Sequence, residues 1–481
     1  MNFSIREITK ACGGELVLRE GTDIDTCVSS VAINSNLVQP GGVFIATEGE
    51  RVDGHKFIPA AFQRGAALVL TRKTPEQVEA EHNADRTQWG SYLLVEDPLQ
   101  ALKDMAEAYR RKLSVKVVGI TGSSGKTSTK EFIAGVLSMR YRVLKTEGNF
   151  NNEIGVPLTL LNIREEHEVA VVEMGISEFG EMHRLSKMAR PDICVITNIG
   201  QSHLNNLIDR DGILRAKSEI FDYMAPDGEI CLNGEDDKLV PLREIRGHRP
   251  HFFGLGGSSR EEVVMGDIRS KGLWGSEARL MIKQENQESG REIPVRIPLP
   301  GEHMALNAAA AACVAALLGL TDEEIAAGTA GVNTISGRTN IIRSDRYTII
   351  DDCYNANPAS VSAAIDLLAL ADTEKVAILG DMLNLGEETH RYHREAGIHA
   401  ARAGAGRILC VGEESRYMYQ GAYDNAAQTA KVFHFPDTEA LLKGLETDLA
   451  GLVPEGSTVL IKASHDMGFA KVLEYLQSRA E

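Results

Sequence analysis

The 481-residue sequence has no C-x-x-C pair, no apolar run long enough to cross a membrane and no excess of positive charge. Its seven cysteines, Cys12, Cys27, Cys194, Cys231, Cys313, Cys353 and Cys410, are odd in number and widely scattered. That spacing argues against a disulfide framework and for reduced, mostly buried thiols in the cytoplasm. The opening "MNFSIREITKACGG" carries Arg6 and Lys10 without an apolar core, so it does not read as a secretory signal. The most apolar segment, "ALNAAAAACVAALLGL" at 305–320, is shorter than the roughly 20 residues a membrane span needs and is expected to be a tightly packed helix. No short-period repeat or low-complexity tract is present. A formal charge of -17 repels nucleic acid and anionic membranes on average, so neither is expected as a partner, and any bound phosphate must be captured locally.

What is present is a globular composition, 43% hydrophobic and 25% charged, long enough for about three domains. Residues 1–112 hold short strand-like runs, "VFIAT" and "ALVLT", around a helix-like "FIPAAFQRG", and read as a small α/β domain. The polar stretch "TPEQVEAEHNADRTQWG" reads as a surface loop. From 113 to 333, "VKVVGI", "VAVVEMG" and "ICVITNIG" alternate with helical segments, the pattern of a doubly wound, mainly parallel sheet covered on both faces. A more strand-rich insertion runs from about 251 to 297, before the Ala-rich helix. After the hinge-like "GVNTISGRTN", "YTIID", "VAILGD", "RILCVG" and "TVLIKAS" predict a third α/β domain over 334–481, Rossmann-like and doubly wound.

"GITGSSGKTS" resembles a phosphate loop in which Ile120 stands where G-x-x-x-x-G-K-[ST] has its first glycine. The apolar strand runs straight into Gly122, Ser123, Ser124, Gly125, Lys126 and Thr127, and a helix pattern follows. Glycines let backbone N–H groups approach a phosphate, and the helix N-terminus adds positive potential. Lys126 is expected to reach the terminal phosphates and the Thr127 hydroxyl to ligate magnesium. Glu173, at the end of "VAVVE", reads equally as a cation ligand or a solvated strand-end acid. Taken alone, His203 in "ITNIGQSHL" reads as a hydrogen-bonded structural residue, and Lys217 in "LRAKSEIF" as part of a solvated basic face.

Taken together, the order of the loop, Glu173, His203 and the R-x-x-K lysine Lys217 closely resembles the Mur ligases, ATP-dependent amide-forming enzymes of cell-wall precursor synthesis. The resemblance covers nearly the whole chain and implies three domains: 1–112 for a UDP-sugar, 113–333 for ATP, and 334–481 as the ligase domain. It assigns ATP contacts to Thr121 through Ser128, to Asn307 in "GEHMALNAAAAA", to Arg338 in "SGRTN" and to Asp352. It assigns substrate contacts to Ser35, Arg51, Asp53 and His55, and to Asn149, Asn151 and Asn152 of "EGNFNNEIGVP". In "DDCYNANPAS" and "KASHDMGFAK" it adds Tyr354, Asn355, Asn357, Ser360, Lys462 and Ser464. Thr127, Glu173, His203 and Lys217, the last as a carbamate, are implied to hold two magnesium ions. The chain departs from the family pattern at Asn34, Asn36, Met304, Asn384 and His465.

The strings "DDCYNANPAS" and "LGDMLNLGEETHRYH" follow the family pattern for adding D-alanyl-D-alanine to a UDP-linked tripeptide, and a monomer is implied. On the residues alone, Arg338 and Asp352 read equally as an interface ion pair, and Tyr354 to Ser360 also suit a polar turn before a helix begun by Pro358. Rival readings are a related ligase with another amine acceptor, such as a folate-elongating one, and a P-loop ATPase that drives a partner's motion. An ATPase of that kind hydrolyses ATP without an amine.

Overall fold

The computed structural model describes residues 1–49, 52–82, 90–200, 204–283, 290–333, 340–383 and 385–479. The strands make three sheets, of five, nine and six strands. The chain divides into two compact units: Met1–Ile268 with Ala278–Arg296 and Glu302–Val332, and Asn333–Glu481 with Arg269–Glu277 and Ile297–Gly301.

In the first unit, the five-stranded sheet is ordered Glu15–Val17, Ser91–Leu94, Leu68–Thr71, Val43–Ile45 and Val31–Ala32, antiparallel only at its first pair. The nine-stranded sheet is built around Lys116–Thr121, which lies between Val169–Glu173 and Ile193–Ile196 and runs parallel to both. The two flanking strands are buried at every residue and the central one at all but Lys116, as a sheet covered on both faces requires. Farther out, Ser276–Ile282 and Arg291–Ile297 alternate buried and exposed residues, so that part of the sheet has one wet face.

The helix Pro98–Lys112 explains why the first two sheets fall in one unit. Asp97 caps it by accepting from the Leu99 and Gln100 amides, and its apolar stripe of Ala101, Leu102, Met105, Ala106 and Tyr109 joins a single core drawn from both sheets. At its end, the Tyr109 hydroxyl donates to the Ile163 carbonyl at 2.8 Å. Arg110 donates to the Ala189 carbonyl at 2.8 Å and pairs with Asp192, which also accepts the Val117 amide. Buried polar groups with such partners fix one packing between neighbouring layers.

The six-stranded sheet of the second unit is ordered Asn340–Arg343, Thr348–Asp351, Thr458–Lys462, Lys375–Gly380, Arg407–Val411 and Lys431–Phe435, antiparallel only at its first pair. Successive residues of one strand enter different cores. Ala377 and Leu379 join one side with Leu368 and Met418, and Val376 and Ile378 join the other with Leu441 and Val472. That alternation is the period of two of a strand with helices on both faces.

The stretch expected as a surface loop from Thr74 is instead helical over Pro75–His82. Thr74 and Gln77 exchange side-chain bonds to each other's amides, Pro75 supplies a fixed first-turn φ, and Val78 is fully buried. The T-x-x-Q capping signal was there to be read and outweighs the polarity of the segment. Residues 83–89 of that stretch lie outside those described.

In the parallel strands beyond the loop, His251 sits between Glu262, 2.6 Å from Nδ1, and Glu229, 3.1 Å from Nε2. The hydrogen bond to Glu262 raises the imidazole pKa to about 9. Because the folded value lies above the unfolded one, the added stability is complete below about pH 6.5 and is lost as pH rises through about 9. His251→Gln is expected to cost about 1–2 kcal/mol at pH 6 and much less at pH 10, as read by urea midpoints of the first unit. Equal losses at both pH values would contradict this.

Candidate active site

The strand Lys116–Thr121 delivers the chain into the loop 122–125, and the helix Lys126–Leu137 leaves it with Gly125, at φ +76, as its N-cap. At Gly122 φ is +150, and an added Cβ would lie 1.9 Å from Thr197 Oγ1. Only glycine permits that approach. The loop is fastened to the segment after the next strand: the Thr197 hydroxyl donates to the Ser124 carbonyl at 2.6 Å, and the Ser123 amide donates to the Asn198 carbonyl at 3.0 Å. Asn198 Oδ1 accepts the Ser124 amide at 3.0 Å, and Ser123 Oγ accepts the Gly200 amide at 2.9 Å. Lys126 folds back, donating to the Gly122 carbonyl at 2.9 Å, and Thr127 is buried. Thr121 Oγ1 is buried with no hydrogen-bond partner.

Glu173 is 1% exposed, which rules out a solvated strand-end acid. Asn151 Nδ2 donates to its Oε1 at 2.7 Å, and its Oε2 is buried with no hydrogen-bond partner. A cation is the ligand such an oxygen suits. Lys217 is not on a solvated face either: it is 2% exposed, on the helix Arg210–Ser218 that Asp209 caps. Burial, with the repulsion of Lys126 added, lowers its amine to about 7. Asn307, on the Ala-rich helix, accepts the Thr129 hydroxyl at 3.0 Å, and its Oδ1 would stand 3.3 Å from a Cβ on Gly125. Met304, which departs from the family pattern, offers its sulfur to Asn307 Nδ2 at 3.6 Å. One neighbourhood thus joins the loop, Asn307, two lysines and the strand-end carboxylate, which stands opposite Ile120 in the sheet and 3.9 Å from Lys130 of the loop's helix.

Other expected site residues have structural partners. Asn152 Oδ1 accepts the Ile154 and Gly155 amides and turns the chain into the helix Gly155–Leu161, while Asn149 is exposed. In the five-stranded domain, Ser35 is buried, and Asn34 Oδ1 accepts the Asn36 amide at 2.9 Å. His55 is buried with both nitrogens occupied, Nδ1 donating to Asp53 at 2.7 Å and Nε2 accepting the Arg72 amide. Glu48, Asp53 and His55 converge closely enough to suggest a metal, but those hydrogen bonds account for the imidazole.

In the second unit, Lys462 is 2% exposed and pairs with Asp352 at 2.5 Å, also donating to the Asn355 carbonyl at 3.0 Å. The ion pair weighed for Asp352 therefore forms inside one unit. Asn357 and Ser360 exchange cap bonds at the start of the helix Pro358–Ala369, with Pro358 at its first position, and Tyr354 lies against His465 at 5.7 Å. Ser464 Oγ accepts the Leu383 amide at 2.9 Å. Arg51, His203, Arg338 and Asn384 lie outside the described residues. In "ITNIGQSHL" the residues that hold the loop are Thr197 and Asn198, not among the expected site residues. A threonine and asparagine directly after a buried strand were the available signal.

Three consecutive family models match this chain: the Mur ligase family catalytic domain at 28–110, the Mur ligase middle domain at 120–315, and the Mur ligase glutamate ligase domain at 337–465. The chain belongs to the Mur ligase family. Within it, the chain is 34% identical over 454 residues, 94% of its length and 93% of the relative's, to the UDP-N-acetylmuramoyl-tripeptide--D-alanyl-D-alanine ligase of Bacillus subtilis. Its fold is similar to the crystal structure of MurF from Acinetobacter baumannii, with a TM-score of 0.85, 29% identity and 99% of each chain covered. It is also similar to MurF ligase from Thermotoga maritima in complex with ADP, with a TM-score of 0.72, 30% identity, and 92% of this chain and 96% of that one covered.

Gly122→Ala tests the loop directly. The new methyl group collides with Thr197 Oγ1, so the loop must leave its place. ATP affinity is expected to fall by about 100-fold, by titration calorimetry, with an unchanged far-ultraviolet spectrum. Wild-type affinity in the variant would refute the close approach.

Proposed function

We propose that the chain joins D-alanyl-D-alanine to UDP-N-acetylmuramoyl-tripeptide at the expense of ATP, giving the pentapeptide precursor of peptidoglycan. The observation that carries this reading is the fastened glycine loop set among Lys126, Lys217 and Asn307, in a chain with full-length relatives named UDP-N-acetylmuramoyl-tripeptide--D-alanyl-D-alanine ligase. Domain roles follow the chain: 1–112 holds the UDP-sugar, 113–333 holds ATP, and 334–481 brings the amine. The reading includes a monomer working in the cytoplasm.

A carboxylate oxygen is a poor leaving group, so the acid must first be activated. The tripeptide carboxylate attacks the γ-phosphorus of ATP, the bond to the bridging oxygen breaks, and ADP leaves behind an acyl phosphate. The dipeptide amine then attacks the acyl carbon, loses its proton, and inorganic phosphate departs. Both steps bring anions together, so positioning and electrostatics supply most of the acceleration. Lys126 and the N-terminus of Lys126–Leu137 face the triphosphate, and Asn307 holds the first turn of that helix.

Thr127, Glu173, His203 and carbamylated Lys217 would hold magnesium, and the Oε2 of Glu173, which accepts no hydrogen bond, suits that role. The ion, when bound, offsets the charge of the transferring phosphoryl group. A carbamate forms only on a neutral amine, and the lowered Lys217 pKa makes one available at physiological pH.

With ATP, magnesium, UDP-tripeptide and D-alanyl-D-alanine, mass spectrometry is expected to find one pentapeptide per ADP. Omitting the dipeptide should stop ADP release, and an amine panel separates this acceptor from others. Sustained amine-independent ADP release would favour the ATPase reading. At fixed CO2 pressure, the Lys217 carbamate signal in carbon-13 NMR should grow as pH rises through about 7, since only the deprotonated amine reacts. Lys217→Ala should lose activity by on the order of 100-fold without rescue by bicarbonate. Full activity in that variant would remove the carbamate from the mechanism.

A further inference from the structure

Lys130 lies one turn beyond Lys126 on the phosphate-loop helix and is fully buried. The two lysines serve different loops. Lys126 donates back to Gly122, whereas Lys130 Nζ donates to the Thr146 carbonyl at 2.8 Å and lies 3.5 Å from that of Gly148. Lys130 Nζ also lies 3.3 Å from Glu131 Oε1 and 3.9 Å from Glu173 Oε2, an ion pair with an oxygen that accepts no hydrogen bond. Thr146, itself fully buried, closes the circuit: its hydroxyl accepts the Glu173 amide at 3.0 Å, and its own amide donates to Val171 at 3.0 Å. Three residues past Gly148, Asn151 returns to Glu173 through its side chain and accepts the Gly175 amide at 2.7 Å through its carbonyl.

A buried basic group is costly unless it is paired and hydrogen-bonded, and every partner here belongs to the asparagine loop, to Glu173 or to the adjacent helix residue. We propose that Lys130 is a positioning residue: it pins the start of the loop 146–152 to the phosphate-loop helix and so sets the placement of the asparagines and of the Glu173 carboxylate. The helix that faces ATP and the loop that faces the acid substrate are thereby held in one register by one side chain. This rests on the ligase reading for what the loop binds, but not for the loop's dependence on Lys130.

The test compares Lys130→Met and Lys130→Arg in the full chain, by hydrogen exchange of the free protein and by steady-state kinetics at saturating magnesium. In Lys130→Met, amides of 146–152 are expected to exchange about 10-fold faster or more, while those of 230–233 and 376–380 stay unchanged. KM for the UDP-tripeptide should rise by about 10-fold and KM for ATP by less than about 3-fold, with Lys130→Arg returning both readouts most of the way. Unchanged loop exchange, equal changes in the two KM values, or no recovery in Lys130→Arg each overturn the proposal. If Lys130→Met does not fold, Lys130→Gln, a neutral donor, is judged by the same readouts. A wild-type protein that makes no amide would sink the functional reading alone, because the exchange measurement needs no reaction.

Discussion

The close approach of Gly122 to Thr197 is the contact on which the site depends. A backbone that leaves no space for a methyl group beside a threonine hydroxyl has room for one residue type, and with it comes a loop tied at Ser123 and Ser124 to the segment 197–200. The glycine displaced from the usual first position of the motif is therefore not missing. Ile120 is free to be an apolar strand residue, fully buried in the sheet, because the turn begins two residues later. Once the turn is fixed, the start of the next helix, the direction of Lys126 and the contact of Gly125 with Asn307 follow from chain geometry.

Charge at the loop runs against the charge of the whole chain. With a formal -17, the protein repels a triphosphate at long range, but that field is screened beyond about 8 Å in physiological salt. Inside that distance the relevant groups are Lys126, Lys217 and the helix N-terminus. Burial strips water from the Lys217 amine and the neighbouring Lys126 adds repulsion, which is why Lys217 and not an exposed lysine is brought to about 7. Glu173 is the complementary case, a carboxylate whose second oxygen no hydrogen-bond donor reaches. A buried carboxylate oxygen that accepts no hydrogen bond and a lysine that can become neutral fit the roles proposed for Glu173 and Lys217.

Features written in consecutive residues were legible. The loop, its flanking strand and helix, and the strands before Glu173 and Asp352 could be read because local pattern and local structure coincide there. Features set by distant pairing were not. Lys462 and Asp352 meet across 110 positions, and neither residue's neighbours announce the other. Lys217 sits on a helical face that looks solvated by composition, and only the layers packed against it show that it is buried. The helix Pro98–Lys112 ends where a boundary between 112 and 113 was expected, yet its apolar stripe fuses the first two sheets into one core, a consequence of packing that no composition shift reveals. The helix at Pro75–His82 differs for another reason: its segment is polar on average, and only the four-residue cap signal at Thr74 to Gln77 marks it as helical.

The second unit repeats the device of the first. At the end of the strand Lys375–Gly380, Asp381 is buried and accepts the Ser415 amide at 2.7 Å and the Glu414 amide at 3.2 Å. Gly412, at φ +118, makes this possible, because a Cβ there would stand 2.4 Å from the Asp381 carboxyl carbon. Burial raises the Asp381 pKa in spite of those bonds. Asp381 also lends its carbonyl to the Ser464 amide, while the next two residues donate to His393 and to the Ser464 hydroxyl. Both units therefore solve one problem in one way: a glycine at positive φ lets a polar strand-end side chain reach the backbone of a neighbouring turn. Parallel sheets leave their carboxyl edges as the place where loops converge, and such loops hold a fixed shape only when their amides find acceptors. Supplying those acceptors from Asn198, Asp381 and Ser464 costs no backbone regularity, since each lies just past the end of its strand.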